Sequence, residues 1–264
     1  MKSSLVLILC LWKIFLFSQH NINGVVTYEQ IESGQKTNVQ MFFSSEKSFY
    51  VSNRGSESKI IKLGNGETLD MLDKNKGMAQ LLRCNIIYQY YLDEEGDIIY
   101  SNWKNDSMIF RKVLRHDPVI VVEPHLPKID WEIKRESKKI SNFLCFKAIT
   151  QFRGRKYEAW FAPEIPIPAG PWKLHGLPGL ILEAQDSTTN YKYSFQTINI
   201  PSDVNEELIK LPRTGEMVLP ANYRSVWLKK EEEHVRKVMS KAAARGSIVN
   251  MIPGEFPKQE LNFD

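Results

Sequence analysis

Apolar and polar residues alternate in short segments over most of residues 24–200. Gly, Asn, Asp or Pro residues separate the segments, and this pattern predicts antiparallel strands, because successive side chains of a strand point to opposite faces. Strong turn signals follow two of the segments, Gly64-Asn65-Gly66 and the acidic residues 93–97. The predicted strands in the first part of the chain are Gly24–Glu32, Val39–Tyr50, Ile60–Leu63 and Ile86–Leu92.

The same alternation continues in the second part of the chain. Residues 143–161 predict a hairpin that turns at Arg153-Gly154-Arg155, and several later aromatic residues share one face of a strand. One-sided aromatic and aliphatic faces fit either a closed core or a concave apolar surface that is open to a ligand. The residues predicted to share a face are Ile129, Trp131 and Ile133; Phe146, Ala148, Thr150 and Phe152; and Tyr191, Tyr193 and Phe195.

After residue 200 the pattern becomes helical. Residues 203–210 form a short helical candidate, and a longer one extends from Asn222, a plausible N-cap, to Arg245, before Gly246. Its charged segment 229–234 is interpreted as solvated helix surface. The predicted fold class is therefore mainly β, a curved antiparallel sheet or open half-barrel with C-terminal helices (about 202–246) and an extended tail.

The first residues have the character of a targeting segment. Lys2 precedes an interrupted apolar run that ends at Ser18, which predicts a secretory signal peptide over residues 1–18 and one domain over residues 19–264. The rival interpretation is a retained membrane anchor, but the longest unbroken apolar run is far shorter than the ~20 residues that span a bilayer. We therefore expect export to the periplasm, the cell envelope or the medium, with no transmembrane span in the mature chain.

The composition and charge of the chain limit the kinds of partner and cofactor that we expect. The chain has 264 residues, 42% of them hydrophobic and 25% charged, which is typical of a globular protein. The net charge of +4 comes from interspersed charges, so nucleic acid is not an expected partner. The five His residues stand apart and show no ligand spacing with Cys, so neither a metal nor another cofactor is predicted. Cys84 and Cys145, the pair left after signal removal, fit a disulfide or two separate buried thiols equally well.

The segment 162–187 combines rigid and permissive residues. Pro163, Pro166, Pro168 and Pro171 favour an extended crossing segment with few backbone donors. In Leu177-Pro178-Gly179-Leu180, the Pro-Gly pair predicts a type II turn with Gly179 at positive φ, followed by a buried strand.

These residues also carry a family resemblance. The stretch Cys145–Asp186, "CFKAITQFRGRKYEAWFAPEIPIPAGPWKLHGLPGLILEAQD", closely resembles the signature block of the GLPGLI family. The family is named for the hexapeptide that stands here as Gly176, Leu177, Pro178, Gly179, Leu180 and Ile181. Similarity begins upstream at "IDWEIKRESKKISNFLCFKA" and covers about residues 129–186. The resemblance implies an exported protein of the Bacteroidota and no established biochemical activity.

Catalysis has weak support in the sequence. Glu158, Glu164, Glu183 and Asp186 could supply a carboxylate pair to a hydrolase, but pairing with Arg153, Arg155 or Lys173 is the simpler role. No GxSxG motif is present. We therefore expect a non-catalytic protein that uses a curved sheet to bind an apolar or extended ligand or a partner chain, such as an envelope protein. A purely structural envelope protein is the alternative.

The rigid segment suggests where such a ligand would bind. Aromatic and aliphatic anchors stand at its two ends, beside two polar groups, and Arg153 and Arg155 could meet an acidic group. The predicted ligand-binding residues are Trp160, Phe161, Trp172, Lys173, Leu174 and His175, with no catalytic residue assigned.

Overall fold

The alternating segments form strands in the computed structural model, which describes residues 23–32, 34–54, 59–62, 87–90, 93–115, 117–202 and 209–244. These residues form fourteen strands and one helix, α1 (Pro220–Ala244). The first seven strands are β1 (Gly24–Glu32), β2 (Gln35–Phe43), β3 (Lys47–Ser52), β4 (Lys59–Lys62), β5 (Ile87–Tyr90), β6 (Asp97–Asn102) and β7 (Ser107–Leu114). The others are β8 (Asp117–Glu123), β9 (Glu132–Ile140), β10 (Phe143–Phe152), β11 (Arg155–Ala162), β12 (Leu180–Asp186), β13 (Tyr191–Asn199) and β14 (Glu216–Val218).

Twelve of these strands form one sheet in the order β14-β8-β7-β6-β3-β2-β1-β13-β12-β11-β10-β9, while β4 and β5 pair with each other. Neighbours in the large sheet are antiparallel, except that β14 runs parallel to β8. The sheet is open, with β14 and β9 at its edges. The predicted mainly-β class with an open antiparallel sheet is confirmed.

The connection from β8 to β9 requires the sheet to curve. If the sheet were flat, ten spacings of about 4.8 Å would place these strands about 48 Å apart. The connecting residues 124–131 can extend over at most about 30 Å. The two ends of the sheet must therefore approach each other, and an ion pair at 2.7 Å joins Glu123 at the end of β8 to Arg153 in the β10–β11 turn.

The proline-rich connection between β11 and β12, residues 163–179, is here called the strap. Alternate strap residues Ile165, Ile167 and Ala169 are buried in the main hydrophobic cluster. The strap hydrogen-bonds to the start of β12, because Leu180 N donates to Ile165 O and Ile181 N to Ala169 O, both at 2.9 Å. It therefore fills the inside of the curved sheet, as an extended crossing segment with its apolar side inward.

The predicted type II turn around Gly179 is wrong. Gly179 N donates to Leu177 O at 2.8 Å, which closes a three-residue turn centred on Pro178, and Gly179 is not at positive φ. Glycine is required at this position by close packing, because a Cβ atom would lie 2.4 Å from Ala162 O. Gly176 instead has the positive φ, at +89°, and a Cβ there would meet no atom within 4 Å.

Two local predictions also need correction. The predicted strand Val39–Tyr50 is two strands, since the chain turns at residues 44–46, where Ser44 N donates to Lys47 O and Ser44 Oγ accepts from Glu46 N. Ile133 does not share a buried face with Ile129 and Trp131, because β9 starts at Glu132 and leaves Ile133 51% exposed.

The C-terminal helix is confirmed with altered details. Helix α1 begins at Pro220, two residues before the predicted N-cap, which suits proline because the first helical N–H has no partner in the helix. The segment 229–234 is not uniformly solvated, because Glu231 is buried and pairs with Arg115. Of the helical candidate 203–210, residues 203–208 lie outside the described residues, and Ile209 and Lys210 are not helical.

We expect Gly179→Ala to destabilise the fold by about 2–3 kcal/mol, because the added methyl group overlaps backbone atoms of Ala162. The matched variant Gly176→Ala has open space and should cost only about 1 kcal/mol from its positive φ. Urea unfolding of both variants measures the difference. Equal losses would contradict the close-packing role of Gly179.

Candidate functional site

The six predicted ligand-binding residues do not form one surface. Phe161 and Leu174 are 2% and 1% exposed and belong to the main hydrophobic cluster. Trp172, at the strap tip with φ 54°, packs its ring against Phe152 and Tyr157 at centroid distances of 5.8 and 6.0 Å. These three side chains therefore belong to the hydrophobic interior.

Lys173 is also buried, and its ammonium group contacts one carboxylate and one aromatic ring. Its Nζ lies 3.0 Å from Glu123 Oε1 and 3.5 Å from the centroid of the Phe110 ring. The other carboxylate oxygen of Glu123 accepts from Arg153 at 2.7 Å. We call Lys173, Glu123 and Arg153 the ion triad; it joins the strap, the end of β8 and the β10–β11 turn.

Arg155 has an internal acidic partner as well, Asp186, at 2.6 Å. Burial acts to raise the pKa of Asp186, but hydrogen bonds from Thr188, the Tyr191 amide and Arg155 outweigh it and hold that pKa below its usual value. Pairing between Arg155 and a signature carboxylate is therefore observed for Asp186. Both Arg153 and Arg155 bind acidic groups of the protein itself.

Trp160 and His175 lie apart from the other predicted residues. Trp160 alternates away from the buried residues of β11, and the Lys138 ammonium lies 4.4 Å from its ring centroid. His175 is half-buried in the part of the strap after Trp172, where its carbonyl oxygen accepts from Trp131 Nε1 at 2.8 Å. Trp160 thus lies on the outer face of the sheet, and His175 fixes the strap to residues before β9.

Cys145 has a buried free thiol. Burial, helped by the nearby Glu183 carboxylate, raises its pKa to about 11, so the thiol is protonated at neutral pH. Cys84 lies outside the described residues.

A small interior cavity of about 80 Å³ lies between the strap tip and β3, β6 and β7. Polar side chains line it: Tyr50 Oη donates to Gln30 Oε1, and Lys112 pairs with Asp97 at 2.7 Å. Burial opposes the charge on Lys112, but the carboxylates of Asp97 and Glu32 outweigh it and raise the Lys112 pKa. The cavity has room for a few water molecules and is far smaller than the ~300–1,000 Å³ of drug-sized ligand sites.

A larger opening, here called the groove, has a volume of about 670 Å³. Its walls come from residues 141–143, from Glu164 and Ile165 of the strap, and from residues 195–198 and Ile200 at the end of β13. The rings of Phe143 and Phe195 meet edge to face at 6.4 Å, and both are only partly buried. The groove therefore presents an apolar floor within a polar rim.

The groove exists because β12 and β13 diverge. Their pairing is limited to Ala184 with Tyr193 and Gln185 with Lys192, whereas β13 follows β1 along its whole length. The alternation rule places Phe195 on a strand face with Tyr191 and Tyr193, but it does not indicate where pairing ends. The uncharged run Ser194–Asn199 is the one local signal of an unusual strand.

One segment of the chain, which includes the strap, is similar to a known protein family. Residues 153–183 match the model of a Bacteroidota-associated family described as "Protein of unknown function (Porph_ging)". The match contains the GLPGLI hexapeptide, although the model has a different family name. The sequence matches none of the curated proteins.

Two solved structures of PNGF-II, in the C2 and P21 space groups, have a similar fold. Each aligns with a TM-score of 0.51 and 13% sequence identity over 80% of this chain. This chain spans about a third of the length of the PNGF-II chains, 33% and 34%, and the likeness concerns the fold alone.

Among the described residues, no helix combines the length and the apolar content that crossing a bilayer requires. No three His, Cys, Asp or Glu side chains in that part of the chain cluster as metal ligands would.

We expect Glu123→Gln to destabilise the protein by about 3 kcal/mol or more, because two buried cations would lose their shared carboxylate. The control is Glu46→Gln, which removes an exposed pair with Lys104 and should cost less than about 1 kcal/mol. Urea unfolding at neutral pH measures both. If both variants lose less than about 1 kcal/mol of unfolding free energy, the ion triad does not hold the sheet.

Because His175 is half-buried, we expect the free energy of unfolding to depend on pH. Burial lowers its pKa below the usual 6.5, and the carbonyl oxygens of Lys173 and Pro127 and the carboxylates of Glu123 and Asp106 offset this only in part. The unfolded chain therefore binds the proton first, so this stabilisation is complete above about pH 6.5 and is lost as the pH falls. We expect His175→Gln to reduce the loss of unfolding free energy between pH 7.5 and 5.5, as measured by urea unfolding.

His125→Gln is the matched control, since the His125 side chain is 79% exposed. Between pH 7.5 and 5.5, His125→Gln should lose as much free energy of unfolding as the unmodified protein does. If His175→Gln retains it as well, burial of the neutral imidazole is not its cause.

Proposed function

We propose that this protein is an exported, non-catalytic binding protein that holds an extended, largely apolar ligand or a segment of a partner chain in the groove. The groove itself carries the proposal, because its volume of about 670 Å³ lies within the range of ligand sites and its aromatic floor is partly exposed. Export is supported by the basic and apolar residues before Ser18.

The rigidity of the groove supports binding. Ile165 in its wall belongs to the strap, which prolines restrict and which β12 hydrogen-bonds on both sides of Ile167. A wall that is already ordered loses little conformational entropy when a ligand binds. The aromatic pair Phe143 and Phe195 can therefore act as a preformed anchor.

The carboxylates near the signature support binding over hydrolysis. Burial acts to raise the pKa of Glu158, but hydrogen bonds from Lys147 and Trp160 lower it below its usual value. A general acid that works near neutral pH needs the opposite shift. Glu183 pairs with Lys138, and Asp186 with Arg155, so these groups serve internal ion pairs.

We expect Phe195→Ser to weaken the binding of anilinonaphthalene sulfonate, an aromatic dye with an anionic sulfonate group, about tenfold, because the variant removes half of the aromatic anchor. The control Ile133→Ser removes an exposed apolar side chain from β9 and should leave dye affinity unchanged. Fluorescence titration measures affinity, and a cooperative melt verifies the fold of each variant. Equal dye affinity in the unmodified protein and the folded Phe195→Ser variant would overturn the groove as the site.

A further inference from the structure

Strand β13 has an open side within the sheet. On one side it pairs with β1 from Tyr191 to Asn199, but on the other it pairs with β12 only at Tyr193 and Lys192. In the described ranges, residues 194–199 have no strand partner on the β12 side. Residues 195–198 of this segment line the groove.

Strand β12 is not available to close this gap. The amides of Leu180 and Ile181 already donate to strap carbonyl oxygens, and Tyr28 Oη donates to Ile181 O at 2.7 Å. These contacts hold the first half of β12 against the strap and β11. The gap between β12 and β13 is therefore a fixed feature of the fold.

The true sheet edges carry features that prevent pairing with other chains, but the open side of β13 carries none. Edge strand β9 is densely charged and largely exposed, with the sequence EIKRESKKI, and edge strand β14 has only three residues. Charges and short length are the usual protection of an edge strand. The open segment Ser194–Asn199, SFQTIN, contains neither a charge nor a proline.

The groove beside this open segment matches an extended peptide. Phe143, Phe195 and Ile198 are partly buried and can take apolar side chains that project from alternate positions of an added strand. Glu164 is exposed on the rim and accepts a backbone hydrogen bond from Leu144. Its negative charge complements a Lys or Arg residue of the added chain.

We propose that the open side of β13 binds an extended segment of a partner polypeptide by strand addition, with apolar side chains on Phe143 and Phe195 and a basic residue beside Glu164. In strand addition, main-chain hydrogen bonds supply affinity and side-chain contacts supply selectivity. This inference rests on the proposed function of the groove and specifies its ligand as a peptide in β conformation.

The test uses a fluorescein-labelled hexapeptide, Lys-Val-Thr-Val-Thr-Val, and the same peptide with alternate backbone amides N-methylated. Fluorescence polarisation with the full chain should show at least tenfold weaker binding of the methylated peptide, because it lacks strand-pairing donors. Phe195→Ser should weaken binding of the unmethylated peptide about tenfold, and Ile133→Ser should leave that binding unchanged. Replacing the peptide lysine with Glu should weaken binding several-fold, and Glu164→Gln should reduce that difference.

Amide hydrogen exchange locates the added strand. The unmethylated peptide should slow exchange within residues 194–199 and leave exchange in β9 unchanged. If the dye binds in a Phe195-dependent manner but the peptide does not bind, or N-methylation has no effect, strand addition is wrong and the groove remains a site for apolar ligands. If neither probe depends on Phe195, both the groove function and strand addition are overturned.

Discussion

The ion triad is the interaction on which the curved sheet depends. Both oxygens of the Glu123 carboxylate are used, one by Lys173 of the strap and one by Arg153 of the β10–β11 turn. Removing these charges from water costs free energy, which only close mutual pairing offsets. Because the three residues come from distant parts of the sheet order, their pairing requires β8 to approach β10 and fixes the curvature that the short β8–β9 connection demands.

The strap transmits this constraint to the groove. Its tip is held by Lys173 and Trp172, and the part of the strap before the tip accepts hydrogen bonds from β12 at Ile165 and Ala169. With β12 held against the strap and β13 held against β1, the two strands separate beyond Ala184 and Tyr193. The groove is thus a consequence of how the inside of the sheet is filled.

The segment that matches the family model is, in this protein, mainly a structural element. Residues 153–183 contain two members of the ion triad, β11, the strap and the close-packed Gly179. Most of the strap's apolar side chains are buried, so the hexapeptide acts by packing. The groove draws its aromatic residues, Phe143 and Phe195, from outside this segment.

The sequence alone determined the features that depend on neighbouring residues. Strand β1, the hairpin turn at Arg153 and Gly154, the strap and most of helix α1 follow from alternation, turn residues and helical spacing, which are local properties of the chain. Tertiary structure decided the features that depend on distant partners. Glu231 looks like solvated helix surface until Arg115, 116 positions away, pairs with it, and Gly179 looks like a turn residue until Ala162 packs against it. The groove belongs to this second group, because the end of the β12–β13 ladder is set by competing contacts from the strap and β1, and local periodicity contains no information about those contacts.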